Sequence, residues 1–163
     1  LALETFDDEY WMRQALALAL DADARNEAPE GQLIAQDGEL IGKGFNQPIS
    51  ESDPTAHAEI VALREAAQEV DNYRLPNATM YVTVEPCAMC AGAIIHARLA
   101  RLVFGAAEPK AGAVCSHLQL FEQAQMNHKV AWQGGVLAEE SATVVQAFFT
   151  RRREEKKRAK LAT

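Results

Sequence analysis

A chain of 163 residues, 48% hydrophobic and 24% charged, has the size and make-up of one globular domain with a single buried core. No apolar run approaches the ~18 residues that cross a bilayer, and residues 1–10 are acidic where a secretory signal is basic, so a cytoplasmic protein without a membrane partner is expected. Three cysteines with one close pair speak against a disulfide scaffold, and a net charge of −7 speaks weakly against a nucleic-acid partner.

The charge is unevenly placed. Residues 151–160, RRREEKKRAK, carry seven basic and two acidic side chains, which leaves −12 on the remainder. A basic tail on an acidic body still grips phosphate locally, because salt screens charges farther away than ~10 Å. The same pattern also suits a solvated, salt-bridged helix end.

In chain order, residues 10–25 are rich in Ala and Leu without Gly or Pro and predict a first helix. Residues 32–36 and 39–45 are short apolar runs joined by Asp37-Gly38, a dipeptide that tolerates the positive φ of a tight hairpin. Asp53-Pro54-Thr55 opens a second helix reaching about residue 70, with Ile60, Leu63 and Ala67 spaced to face the core. The run TMYVTV at 79–84 is β-branched and aromatic and predicts a buried strand. Glu85-Pro86 starts a third helix to about residue 98, and RLVFG at 101–105 is another strand. Residues 106–128 are broken by Pro109 and Gly112, with a helical stretch expected around 118–125. A strand at 129–133 and a helix over 139–160 close the chain, the helix ending in cations where its dipole favours them. Strands alternating with helices in this way imply an α/β fold, with a mixed sheet and helices on both faces.

Two short motifs carry chemistry: His57-Ala58-Glu59 and Pro86-Cys87-Ala88-Met89-Cys90. Each is weak alone. Together they place an imidazole at the start of one helix and two thiols in the first turn of another. Partial positive charge at a helix N-terminus lowers thiol pKa and favours the ligating thiolate. One nitrogen and two sulfurs fill three of the four tetrahedral positions of zinc and leave one for a water, whose pKa falls to ~7. Glu59, two residues from the imidazole, is then a proton carrier. A redox Cys-x-x-Cys would need no His-Glu partner. A closed structural zinc would need a fourth ligand from Cys115, His96, His117 or His128, and His96 lies about 120° around the helix from Cys90.

At these residues the chain resembles the zinc-dependent cytidine deaminase superfamily, whose signature pairs His-x-Glu with Pro-Cys-x-x-Cys, and within it the bacterial tRNA-specific adenosine deaminases. The resemblance takes in Glu9-Tyr10-Trp11-Met12-Arg13, Gly44-Phe45-Asn46, the stretch at 53–60, Asn72-Tyr73-Arg74-Leu75, the stretch at 81–93, Met126-Asn127-His128 and Gly135-Val136-Leu137-Ala138-Glu139. It implies a three-layer fold on a five-stranded mixed sheet, formed by a single deaminase domain over 1–163 with a basic helical tail from about 150. It implies a homodimer, and one zinc per chain on His57, Cys87 and Cys90, with Glu59 as proton shuttle. The implied reaction is hydrolysis of adenosine to inosine at the wobble position of a tRNA anticodon loop. Asn46 matches a residue that hydrogen-bonds the flipped base. Phe149 and Arg152 fall in the helix that meets the anticodon loop, and Glu108 falls where an acid often contacts the substrate backbone.

The family usually reads Pro-Val-Gly-Ala at the start of the first strand, with the valine near the target base. Here the residues are Pro29-Glu30-Gly31-Gln32. Either Glu30 bonds an amino group and alters which base or nucleic acid, such as single-stranded DNA, is accepted, or the segment is remodelled and Glu30 faces solvent. Glu108 likewise reads as a substrate contact or as a surface charge. Two other functions fit the motifs: deamination of a free base or nucleoside, which has no need of Phe148-Phe149 and a basic tail, and a zinc-stabilised RNA-binding subunit, which has no need of Glu59.

Overall fold

The computed structural model describes residues 7–162; most of the acidic opening, residues 1–6, lies outside the described residues. Helix α1 (Asp8–Ala24) leads into the hairpin β1 (Gly31–Gln36) and β2 (Glu39–Phe45). Helix α2 (Ala58–Val70), β3 (Ala78–Val84), α3 (Ala88–His96) and β4 (Arg101–Ala106) follow. A single 3-10 turn at Leu120–Glu122, the short β5 (Ala131–Gln133) and the long α4 (Ala138–Leu161) complete the chain.

The five strands lie in the order β2-β1-β3-β4-β5. β1 runs antiparallel to β2 and β3, while β3, β4 and β5 are parallel, as expected of a mixed sheet. Asp37 and Gly38 both take positive φ, 52° and 81°, which is why this dipeptide closes the two-residue hairpin. One core, containing Ile34, Met80, Val82 and Leu102, joins the sheet to α2 and α3. A second, built on Trp11, Met12, Leu33, Tyr81 and Val103, joins the opposite face to α1 and the start of α4. The result is the three-layer α/β architecture that the sequence implies.

Local chemistry fixes the element ends. Asp7 caps α1 by accepting the Tyr10 N–H at 2.8 Å. The Asp8 carboxylate then takes both terminal nitrogens of Arg101, at 2.8 and 2.7 Å, and the Tyr81 hydroxyl at 2.9 Å, tying α1 to β3 and β4. Arg98, at φ 59°, lies just past the end of α3.

Four expectations are corrected. The second helix begins at Ala58, not at Asp53, because Asp53 turns its carboxylate onto the N–H and hydroxyl of Thr55, both at 2.8 Å, and caps a separate turn. The third helix begins at Ala88, because the Glu85 N–H still bonds Ala106 O at 2.9 Å as an extension of the sheet. The helix expected around 118–125 is only the 3-10 turn. The buried face of α2 is Ala58, Glu59, Ala62, Leu63 and Ala66, whereas Ile60 and Ala67 are half-buried along an open apolar groove with Tyr73 and His96.

Small residues explain that last shift. A Cβ on Gly44 would stand 2.7 Å from Ala58 O, so α2 lies closer to β2 than any side chain there would permit. Alanine on the helix and glycine on the strand carry this contact, and apolar periodicity does not register them.

Candidate functional site

The site forms beyond the carboxyl ends of β3 and β4, where ligands bind in open α/β sheets. His57 is the N-cap residue of α2 and Cys87 that of α3, both with extended backbone and neither with a side-chain cap bond. The two helices lie on the same face of the sheet, so their N-termini converge. His57 Nδ1 stands 3.7 Å from Cys87 Sγ and 3.6 Å from Cys90 Sγ. All three donor atoms lie within 4.8 Å of one another.

These distances suit zinc. Tetrahedral bonds of ~2.3 Å to sulfur and ~2.0 Å to nitrogen put the two atoms about 3.5 Å apart. The Cys87 thiol is held down to about 5, first by the hydrogen bond from the Cys90 thiol and, against its burial, by the backbone N–H groups of Cys90 and Met89 and by His57. The Cys90 thiol is pushed up by the same bond, by burial and by the charge of Glu59. The two shifts run in opposite directions, and the lowered Cys87 thiol favours the ligating form. Among the described residues the group holds only His57, Cys87 and Cys90. Cys115 and His117 are exposed, His96 lines the apolar groove, and His128 Nε2 meets Leu99 O at 2.6 Å.

Glu59 lies in the first turn of α2, 2% exposed, with Oε1 lacking any protein partner. Burial pushes its carboxyl up, and the negative charge of Cys87 adds to the rise. Asn46 is buried just beyond β2 with Oδ1 unpartnered, and its N–H donates to Glu30 O at 3.1 Å.

Glu30 is half-buried and does not turn away to solvent. Its carboxyl is pushed up to about 8, first by burial and then by the negative charges of Glu59, Cys87 and Glu108. Glu108 is half-buried, and it lines a cavity of about 750 Å³ with Pro109, Lys110, Gln146, Phe149 and Arg153. Phe149, 47% exposed, separates this cavity from one of about 280 Å³ lined also by Ile49, Arg152 and Lys156. Arg151 anchors α4 through Asp23 at 2.8 Å. The two acids of the tail pair along the helix with Arg151 and Arg158, at 3.7 and 3.9 Å, as a solvated face would.

Glu85 escaped the sequence reading, which took it for a helix start. Its carboxylate accepts the N–H groups of Glu108, Val114, Cys115 and Ser116, at 2.9–3.1 Å, and the Ser116 hydroxyl. The loop that looked irregular is folded around this one buried anion. Only its position directly before Pro86-Cys87 hinted at such a role.

A model of the MafB19-like deaminase family matches residues 6–153. The tRNA-specific adenosine deaminase of Haemophilus influenzae is 53% identical over 151 residues, covering 92% of this chain and 87% of the relative. That of Bacillus subtilis is 38% identical over 153 residues, 94% of this chain and 95% of the relative. A solved structure from a study of A-to-I editing by tRNA:A34 deaminases at the wobble position of transfer RNA superposes with a TM-score of 0.81. It is 41% identical and covers 83% of this chain and 98% of that one. A guanine deaminase from Nitrosomonas europaea shares the fold, with a TM-score of 0.71, 22% identity and coverage of 91% of this chain and 85% of that one.

Proposed function

This chain belongs to the family of tRNA-specific adenosine deaminases, and from that premise we propose that it hydrolyses the wobble adenosine of a tRNA anticodon loop to inosine. The observation that carries the reading is the meeting of the His57 nitrogen with two sulfurs beside the unpartnered Oε1 of Glu59. His57, Cys87 and Cys90 would hold one zinc, whose Lewis acidity when bound brings the pKa of a water down to ~7.

The rest of the work falls to the side chains. Glu59 takes a proton at Oε1, passes it to N1 of the base and assists the loss of ammonia. Asn46 Oδ1 is free to bond the base and fix its orientation. An anticodon base is already single-stranded, so unstacking it into the pocket costs little. The cavities on either side of Phe149 suit the flanking nucleotides, with Glu108 at one mouth and Arg152 at the other. Large cavities beside a basic helix favour a polynucleotide over a free nucleoside.

We read 1–163 as one deaminase domain with a substrate-gripping tail from about residue 150, working as a cytoplasmic homodimer. The open groove of Ile60, Ala67, Tyr73 and His96 is a face for the second copy. No helix among the described residues is long and apolar enough to cross a membrane. The direct test is inosine formation in an anticodon hairpin bearing a wobble adenosine, with and without a chelator. No inosine from the zinc-loaded protein overturns the reading.

A further inference from the structure

Several polar atoms near the reaction centre have no partner in the protein. They are Glu59 Oε1, Asn46 Oδ1 and both side-chain heteroatoms of Gln32, which is fully buried. Glu59 and Asn46 have places in the reaction proposed above. Glu30 and Gln32 do not.

Residues 32 and 34 project to one side of β1 by strand alternation, and Glu30 directly precedes the strand. Ile34 packs in the core beneath α2 and α3, which identifies that side as the one bearing the site. Gln32 pairs in register with Gly44 and Val82, neither of which offers a polar side chain. The Glu30 backbone carbonyl accepts the Asn46 N–H at 3.1 Å, which sets Glu30 beside buried Asn46 at the end of the hairpin that borders the site, and the negative charges of Glu59, Cys87 and Glu108 bear on its carboxyl. Among the described residues, no side-chain hydrogen bond or ion pair of Glu30 is found. A half-buried carboxyl facing other acids gains from any donor that a ligand brings to it.

We propose that Glu30 is a second carboxyl of the reaction centre, accepting a hydrogen bond from the exocyclic amino group of the bound adenosine. The inference rests on the deaminase reading and specifies what that site recognises. The base of adenosine carries acceptors at N1, N3 and N7, and its only N–H donor is the amino group. An acceptor beside Glu59 and Cys87 therefore has one group to meet, and it is the group that leaves. Ionised or neutral, a carboxyl keeps an oxygen able to accept, so the contact holds in either state. Gln32, two residues on, keeps the neighbourhood polar. In the overall reaction the C6–N6 bond breaks and a C6–O bond forms from water, so adenosine and water give inosine and ammonia. Glu59 moves the proton, while Glu30 holds the amino group and transfers nothing.

The test compares two anticodon hairpins, one with adenosine at the target position and one with 6-chloropurine ribonucleoside. Both yield inosine, but the chloride leaving group has no N–H. With full-length, zinc-loaded protein, Glu30→Val should lower kcat/KM for adenosine about 10-fold or more and change that for the chloropurine by less than about 2-fold. Glu30→Gln keeps an accepting oxygen and should stay within about 3-fold of the parent on adenosine. Glu30→Met, similar in length without an oxygen, carries the same expectation as valine and serves if valine does not fold. Because the substitution removes a poorly solvated carboxyl, the melting temperature of either apolar variant should match or exceed that of the parent. Equal losses on both hairpins, or none, overturn the proposal. If the parent makes inosine from neither hairpin, the deaminase reading falls, and this inference with it.

Discussion

The backbone N–H of Glu108 donates to Oε1 of Glu85 at 3.1 Å, so one acid holds the main chain of another at the mouth of the site. Burial alone would raise the Glu85 carboxyl. The Ser116 hydroxyl and the N–H groups of Cys115, Ser116 and Glu108 outweigh it and keep the carboxyl below its ordinary 4.5. Asp8 is lowered chiefly by its bond from Arg101. Glu27, despite burial, is lowered by the Ser50 N–H and hydroxyl and the Ile49 N–H.

A carboxyl whose pKa is lower in the folded chain than in the unfolded one stabilises fully above the unfolded value and loses that contribution as pH falls through the folded one. These three carboxyls should therefore contribute fully above about pH 5 and progressively less below it, so the zinc-free protein should melt at lower temperature as the pH falls further. Glu85→Gln offers an amide where donors converge, so it should cost about 1–3 kcal/mol at neutral pH and flatten the acid slope. Thermal melts from pH 3 to 7 on both proteins check this. Parallel curves would show that Glu85 contributes no pH-dependent stability.

Glu59→Gln should retain one zinc per chain and lose about 10²- to 10⁴-fold in kcat. Metal analysis alongside inosine formation separates the two effects. Normal turnover by a zinc-loaded variant would remove Glu59 from the proton path.

Chelation, or Cys87→Ser, should release the zinc, abolish deamination and lower the melting temperature, because ion binding is linked to folding. Cys115→Ser should change none of these, since Cys115 is exposed and outside the three-donor group. Zinc loss from the Cys115 variant would mean that the ligand set is wrong.

Gly44→Ala places a methyl 2.7 Å from Ala58 O and 3.0 Å from Ala62 N, both backbone atoms that yield little. We expect destabilisation of about 1–3 kcal/mol from this overpacking. Because α2 carries His57 and Glu59, we also expect weaker zinc retention. Denaturant melts and competition with a chelator measure the two separately. An unchanged zinc affinity would show that the first turn of α2 holds its place independently.

These contacts explain which parts of the molecule were legible in its sequence. Asp37-Gly38 and the β-branched run at 79–84 declare the hairpin and a central strand locally. His57, Glu59, Cys87 and Cys90 declare their chemistry because one element demands that combination. The start and buried face of α2 were misread because Ala-on-Gly packing has almost no hydrophobic signature, and because Asp53 can cap a turn as readily as a helix. The loop at 108–116 was illegible because its order comes from a carboxylate 23 or more residues earlier in the chain. The direction of Glu30 likewise depends on what α2 and α3 bring beside β1.

On α4, Phe149→Ala and Arg152→Ala should weaken hairpin binding and raise KM, with kcat little altered. The arginine variant should also reduce the salt dependence of binding by about one counterion. Binding isotherms at several salt concentrations give the slope. An unchanged slope would place Arg152 off the phosphate path.

From Arg153 onward every described residue of α4 is exposed, so about 13 Å of helix, at 1.5 Å per residue, projects past its last buried neighbour. On the proposed function it would act as a cationic outrigger. Arg153 and Lys156 line the two cavities, whereas Lys157, Arg158 and Lys160 line neither and are left to an RNA longer than the nucleotides that fill them. On that function, affinity should rise with RNA length beyond the nucleotides that enter the cleft.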